Sequence, residues 1–404
     1  MNIGIVTTWF ERGAAYVSKK FEEILQKENQ VYIYARGGET YAIGNPLWDH
    51  PNVWWGKREY SLFHATHINK RDFIKWIKKF KIELIIFNEQ QWLIPLLWCK
   101  DLEIKTLAYI DYYKKETIPL FDIYDGLICN TLKHKKAFET HKHTYYVPWG
   151  TNIDLFKPTK TDLVNDNFIT YFHSAGMSAY RKGTDILIKA FIKSNQKGKL
   201  VIHTQRDLIS QLPNLKDDIE YLIKSDKLEL ITKTITAPGL YYKGDVYVYP
   251  TRLEGIGLTI AEAISSGLAC VVPNNSPMNE FISNEFGSCI SIDKFFCRED
   301  AYYWPMCECS ISDLTDIINK LDDNYNTVHL KKKAARLYAE EKLSYKKNFN
   351  LLNSIVRNVS FSPIAPSLKI DILKYHSKGG EKYDKYITPL YNTYKRIKNG
   401  IKKD

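Results

Sequence analysis

The sequence predicts an α/β protein built from two parallel-sheet domains, and three observations carry that prediction. Short apolar runs bounded by Gly, Pro or polar clusters alternate with stretches of helical periodicity along most of the chain. This alternation is interrupted once, by the polar stretch Trp149–Asn167 that contains Gly150 and Pro158. The chain has 404 residues, which suits two domains at roughly 100–200 residues each.

The elements follow in order. In the first half, strands are expected near residues 2–8, 31–35, 83–87, 105–110, 126–129 and 144–147. In the second half they are expected near 168–173, 199–203, 228–231, 245–249, 268–272 and 289–292. Helices are expected over Tyr16–Lys27, Lys70–Lys79, Thr131–Thr140, Thr184–Ser194 and Thr259–Ser266. Phe73, Trp76, Ile77 and Phe80 share one face of the basic Lys70–Lys79 segment, which suits a core helix or a membrane-surface helix. Residues 1–157 are assigned to a first domain, 158–355 to a second, and 356–404 to a Lys- and Tyr-rich tail.

Composition narrows the class. No run approaches the roughly 20 apolar residues of a membrane span. The N-terminus opens directly on a strand, Asn2–Thr7, with no leader pattern. Seven cysteines without framework spacing point to a reduced, cytoplasmic setting. Cys297, Cys307 and Cys309 fit no common zinc spacing. The net charge of +11 favours anionic partners: a nucleotide, a membrane surface or a nucleic acid. No nucleic-acid-binding module is visible.

One stretch carries the chemistry. Asp245–Tyr249 reads as a buried strand, Gly255-Ile-Gly257 as a turn, and Leu258–Ser265 as a helix ending at Gly267. In an open α/β sheet this turn lies at the carboxyl end of the strand, where ligands bind. Glycines admit a close backbone approach, and free helix-start N–H groups favour a phosphate. Glu254 and Glu262 flank the turn as acceptors for hydroxyls. A nucleotide sugar offers both groups. A plainer alternative makes Thr259 and Glu262 a capping box and Glu254 an ordinary turn residue. Lys182, in Arg181-Lys-Gly-Thr-Asp185, stands before a second helix capped by Thr184 or Asp185, as a phosphate ligand or as a surface lysine. Gly13, in Trp9–Ala15, opens the first helix.

Taken together, Tyr249–Leu258, Glu262-Ala263, Gly267 and Val271-Val272 resemble the E-x7-E signature of family-4 retaining glycosyltransferases. Lys182-Gly183 with Ile188–Phe191 resembles the start of that family's donor domain, and Pro148–Pro158 its inter-domain linker. The resemblance implies the GT-B architecture, two Rossmann-like domains facing across a cleft. It implies that Glu262 holds the ribose, and that Glu254, Gly255, Ile256, Gly257 and Leu258 hold the transferred sugar and diphosphate. Lys182 would neutralise the leaving group. Arg181 is the candidate for an arginine that many members carry upstream, and Asp111 the first-domain candidate, with Ile110 where a histidine is common; Glu89 is another. No cofactor and no metal are implied, and no two aspartates stand two apart.

The expected partners are a nucleotide-diphosphate sugar, a glycan or lipid-linked glycan acceptor, and an anionic membrane surface at the inner face. Tyr41, Trp48, Trp54, Trp55, Tyr60 and Phe63 suit either stacking on sugar or packing in loops. Two other functions share the fold: a nucleotide-sugar 2-epimerase and a non-catalytic subunit partnering an active transferase.

Overall fold

The computed structural model describes residues 1–37, 42–57, 66–159 and 168–377. The first unit is a seven-stranded parallel sheet: β1 (Asn2–Thr7), β2 (Gln30–Ala35), β3 (Val53–Trp55), β4 (Leu84–Asn88), β5 (Lys105–Tyr109), β6 (Gly126–Cys129) and β7 (Thr144–Tyr146). Its order is β3-β2-β1-β4-β5-β6-β7. Helices α1 (Gly13–Leu25), α2 (Lys70–Phe80), α3 (Ile94–Asp101) and α4 (Leu132–Ala137) pack around it. The central strands read as continuous apolar runs because both sheet faces are covered.

The second unit has β8 (Thr170–Gly176), β9 (Lys199–Thr204), β10 (Leu228–Thr232), β11 (Val246–Val248), β12 (Ala269–Pro273) and β13 (Gly287–Ile290). They form a parallel sheet in the order β10-β9-β8-β11-β12-β13. A separate antiparallel hairpin follows, β14 (Ile292–Phe296) with β15 (Met306–Cys309). Helices of this half are α5 (Thr184–Lys193), α6 (Leu208–Gln211), α7 (Lys216–Lys224), α8 (Leu258–Ser265), α9 (Ile311–Asp323) and α10 (Val328–Lys342). The chain then runs through α11 (Tyr345–Asn348), α12 (Leu351–Asn358) and α13 (Pro366–Ser377).

Strand order locates the site. In the first sheet the direction of winding reverses between β1 and β4, in the second between β8 and β11. Ligands bind at such switch points, outside the carboxyl ends of the strands. Residues 8–13 and 89 follow β1 and β4, and residues 177–183 and 249–257 follow β8 and β11.

Two crossings join the units. Thr151 donates its N–H to the Leu343 carbonyl at 2.7 Å, and Tyr345 donates back to Thr151 at 3.2 Å. Gly150 is required there, since a Cβ would overlap the Tyr345 backbone. Past this point the chain returns to the first unit. Phe349 packs edge-on against Phe21 at 5.2 Å, and the Tyr345 hydroxyl donates to the Glu23 carboxylate at 2.7 Å. Beyond α12, Ser362 N–H donates to Asp125 at 2.7 Å, and His376 Nε2 accepts from Leu93 N–H at 3.1 Å. The return already includes Leu351–Asn358, ahead of the expected break at residue 356. Residues 378–404 of the expected tail lie outside the described residues.

The hairpin makes a third connection. Residues 297–305 reach the loop after β5: Tyr303 N–H donates to the Tyr113 carbonyl at 3.0 Å, and Tyr302 stacks on Tyr112 at 5.4 Å. Helix α2 is a core helix, with Phe73, Trp76 and Ile77 buried. Trp48 is buried against Trp9 at 5.2 Å, and Trp54 and Trp55 form edge strand β3, so these aromatics pack. Tyr41, Tyr60 and Phe63 lie outside the described residues.

Candidate functional site

The carboxyl ends of both sheets meet at a cleft of about 410 Å³. Its walls include Arg12, Gly13, Glu89, Tyr109 and Asp111 of the first unit. Arg181, Lys182, Glu254, Gly255, Ile256, Gly257, Leu258 and Thr259 of the second unit face them. Every sequence-derived candidate except Glu262 lines this one space.

Glu254 is its electrostatic centre. Oε1 accepts from Lys182 Nζ at 2.6 Å, Thr251 Oγ1 at 2.8 Å and the Tyr249 hydroxyl at 2.9 Å. Arg181 Nη1 stands 3.4 Å away and also donates to the Leu253 carbonyl at 3.0 Å. These bonds converge on one carboxylate oxygen, Oε1, and none of them reaches Oε2. Burial pushes the Glu254 pKa up, but Lys182 and Arg181 outweigh it and hold the carboxyl below its ordinary value. Burial lowers the Lys182 pKa, Glu254 opposes that, and Arg181 adds to it. Lys182 is therefore a largely buried ion-pair partner, not a surface lysine; its side chain is 13 % exposed.

Backbone geometry holds this pair. Gly183 has φ +70°, and a Cβ there would overlap the Pro250 carbonyl oxygen. Only glycine lets the start of α5 press against the end of β11, which sets Lys182 beside Glu254. The expected caps on α5 do not form. Gly183 is the N-cap, Thr184 Oγ1 bonds His173 Nε2 at 2.8 Å, and Asp185 binds Arg252. His173 also bonds the Val248 carbonyl at 2.8 Å, and burial pushes its pKa down to about 4, so it is a neutral structural link.

Helix α8 likewise begins at a glycine. Gly257 is its N-cap with φ 91°, and no side chain caps it. The Thr259–Glu262 capping box is absent: the Glu262 carboxylate instead accepts from the Tyr241 hydroxyl at 2.7 Å. The first N–H groups of α8 are thus left to the cleft, the arrangement that binds anions. Burial raises the Glu262 pKa, while Tyr241 and Lys20 of α1 counter it. Glu262 and the cleft-lining residues sit on the same short helix, with Glu262 one turn further in.

From the first unit, Asp111 reaches the glycine turn. Its Oδ1 lies 2.8 Å from the position a Cβ on Gly255 would take, so glycine is needed there for contact across the cleft. Burial holds the Asp111 pKa well above its ordinary value, Glu89 adds to the rise, and Arg12 opposes it. Gly13 has open space around it at the start of α1, which also lacks a side-chain cap. Ile110 is core, 1 % exposed.

Sequence reasoning missed four residues that build the site. Arg252 is buried and grips Asp185 through two bonds, at 2.7 and 2.8 Å, and Glu308 at 2.9 Å. It ties the glycine turn to α5 and β15. His134 of α4 meets the Gly255 carbonyl at 3.3 Å and the Tyr113 hydroxyl at 2.8 Å. Burial pushes its pKa down to about 3, so the neutral ring donates to one oxygen and accepts from the other. Tyr241, which positions Glu262, and Arg12 complete the set. Nothing local in the sequence marks any of these; their roles come from residues far apart in the chain.

Residues 169–296 match the family model described as glycosyl transferases group 1. A curated Escherichia coli relative, UDP-Gal:alpha-D-GlcNAc-diphosphoundecaprenol alpha-1,3-galactosyltransferase, is 35% identical over 77 residues, which is 18% of this chain and 20% of the relative. The match therefore spans about a fifth of that protein's length. Among solved structures, Anabaena HepE in complex with UDP aligns with TM-score 0.69 at 14% identity, over 88% of this chain and 99% of HepE. The pneumococcal O-GlcNAc transferase GtfA in complex with UDP and GlcNAc aligns with TM-score 0.65 at 11% identity, over 89% of this chain and 99% of GtfA. The chain has the GT-B fold, and residues 169–296 of its second unit match the glycosyl transferases group 1 model.

Proposed function

We propose that this chain is a retaining, metal-independent glycosyltransferase that moves a hexose from a UDP-sugar to a glycan or lipid-linked glycan. The observation that carries the reading is the convergence at one cleft of Lys182, Arg181, two uncapped helix starts and the Glu254 carboxylate. The positive groups suit a diphosphate, and the carboxylate suits sugar hydroxyls. The Escherichia coli relative, a UDP-galactose-dependent enzyme by its name, supports the choice of UDP and of a lipid-linked acceptor.

In this reading the diphosphate lies against the N-terminus of α8, with Lys182 and Arg181 beside it. As the bond between the anomeric carbon and the diphosphate oxygen breaks, negative charge grows on the leaving group. Fixed cations and N–H dipoles that meet this charge lower the barrier, and they supply what a bridging metal ion supplies elsewhere. Glu254 orients the sugar through Oε2, Glu262 holds the ribose, and Asp111 approaches the sugar from the first unit. The acceptor hydroxyl oxygen bonds to the anomeric carbon, its proton leaves with the diphosphate, and UDP is released.

The acceptor brings the chain to an anionic membrane at the inner face. In support, the net charge is +11, and α13 exposes Ile370 and Leu373 beside Lys369 and Lys374. No helix among the described residues is long and apolar enough to cross a membrane.

The test is UDP release from UDP-galactose and UDP-glucose with and without a GlcNAc-diphospholipid acceptor, with the product's anomeric configuration read by NMR. Acceptor-dependent UDP release with an α-linked product supports the proposal. A donor epimerised without acceptor, or no turnover by the purified chain, overturns it.

A further inference from the structure

The tip of the β14–β15 hairpin acts beyond the loop it touches. Trp304 donates its indole N–H to the Tyr113 hydroxyl. Tyr113 and His134 are each 1 % exposed. The Tyr113 hydroxyl lies 2.8 Å from His134 Nδ1, and His134 Nε2 lies 3.3 Å from the Gly255 carbonyl oxygen. The end groups fix the direction of every bond, because an indole N–H only donates and a carbonyl only accepts. The single proton of the neutral imidazole therefore sits on Nε2, and Nδ1 accepts from Tyr113. The line starts in the second unit, crosses two residues of the first, and returns to the second unit's glycine turn. The second unit also holds α4, which carries His134. The Glu280 carboxylate accepts from the Leu132 N–H at 2.7 Å and the Lys133 N–H at 3.0 Å, and the buried Lys133 ammonium lies over the Trp304 ring at 4.9 Å.

We propose that Trp304, Tyr113 and His134 form a one-way hydrogen-bond relay that locks the Gly255–Ile256 peptide, with His134 as a positioning residue for donor use. The proposal rests on the transferase reading. A trans peptide is planar, with its C=O and N–H on opposite sides. Holding the Gly255 carbonyl therefore fixes the direction of the Ile256 N–H as well, and both residues line the cleft. The turn needs such a lock. Gly255 has no Cβ and Gly257 sits at φ 91°, so the backbone on both sides of Ile256 is free to rotate. Burial holds the His134 ring neutral, in keeping with a single proton on Nε2. Bonds in such a chain also polarise one another. The first unit thus acts on the donor site without touching the donor, through the hairpin tip and α4.

The experiment compares UDP release by wild type, His134→Ala and His134→Gln at equal folded fraction, with the UDP-sugar and GlcNAc-diphospholipid that wild type turns over. His134→Ala is expected to lower kcat about tenfold or more, as an N–H aimed at the developing anion loses its alignment. His134→Gln is expected to recover most of that loss, because its amide N–H takes the place of Nε2. Wild-type kcat in His134→Ala, or equal kcat in the two variants, would overturn the proposal. The relay is also read without activity and with His134 intact, from nitrogen-15 spectra of ring-labelled histidine at pH 7. One histidine is expected to be neutral with its proton on Nε2, and to shift its Nδ1 signal in both Trp304→Phe and Tyr113→Phe. No histidine that answers to both substitutions, or one that does so with its proton on Nδ1, would overturn the relay. Wild type that releases no UDP from any UDP-sugar would reject the transferase reading instead, and the spectra would still decide the relay.

Discussion

Lys182→Ala separates the stabilising role of Lys182 from its chemical one. The sequence allows a surface lysine, whose removal costs within about 0.5 kcal/mol. The structure instead buries Lys182 and Glu254 together at 2.6 Å, with side chains 13% and 11% exposed. Breaking a buried pair by removing one partner costs about 3–5 kcal/mol, because the remaining charge is left without compensation. Arg181 stays at 3.4 Å and covers part of that, so about 2–3 kcal/mol is expected for Lys182→Ala. Glu254→Gln added to it removes the orphaned charge, and the amide oxygen still accepts from Thr251 and Tyr249. The double variant should therefore recover most of the lost stability. Turnover should not recover, since losing one donor to a developing anion costs on the order of 10²–10³ in rate. Urea unfolding and UDP release, measured on both single variants and the double, complete the cycle. Activity returning along with stability in the double variant, relative to Glu254→Gln alone, would refute a chemical role for Lys182. A stability loss under about 0.5 kcal/mol would refute the buried pair.

Other expectations follow from the same geometry. Glu262→Gln should keep the fold, because the amide oxygen can still accept from Tyr241, yet weaken UDP binding roughly ten- to a hundredfold as a charged hydrogen bond worth about 1.5–3 kcal/mol is lost; wild-type affinity by calorimetry would return Glu262 to a structural role. Chelator should leave UDP release unchanged, and loss restored by manganese or magnesium would reject the metal-independent reading. Burial raises the Glu22 pKa to about 7, with Lys19 opposing. A carboxyl with a raised folded pKa contributes stability below its unfolded pKa and loses it as pH rises through the folded value. Glu22→Gln should thus change little at pH 5 and stabilise by about 3 kcal/mol at pH 8, at 1.36 kcal/mol per unit; equal urea midpoints for both proteins at pH 8 would contradict this.

Much of the fold was legible because parallel strands buried on both faces read as plain apolar runs. β1, β4, β5, β8 and β12 all carry that signal, and Gly255 and Gly257 mark the turn before α8. Edge strand β3 was missed because Val53–Trp55 is three half-buried residues long. The β14–β15 hairpin was missed because Ile292–Phe296 is mostly exposed and lacks clean alternation. Of the site, Lys182, Glu254 and the glycine turn could be read from local spacing. The capping box on Thr259 was a false local signal, since Tyr241 outcompetes the helix start for the Glu262 carboxylate. Thr184 and Asp185 misled in the same way, drawn off by His173 and Arg252. Arg252 and the line from Trp304 through Tyr113 to His134 depend on contacts between distant segments, which no local pattern encodes.

The central claim is that the second unit's glycine turn and Lys182 hold a nucleotide diphosphate. A crystal structure of the chain with UDP tests it most directly. The account expects the diphosphate within hydrogen-bond distance of Lys182 Nζ and the first N–H groups of α8, and the ribose hydroxyls on the Glu262 carboxylate. UDP bound elsewhere, or a cleft still closed by the Lys182–Glu254 pair with no nucleotide in it at saturating concentration, would contradict the account.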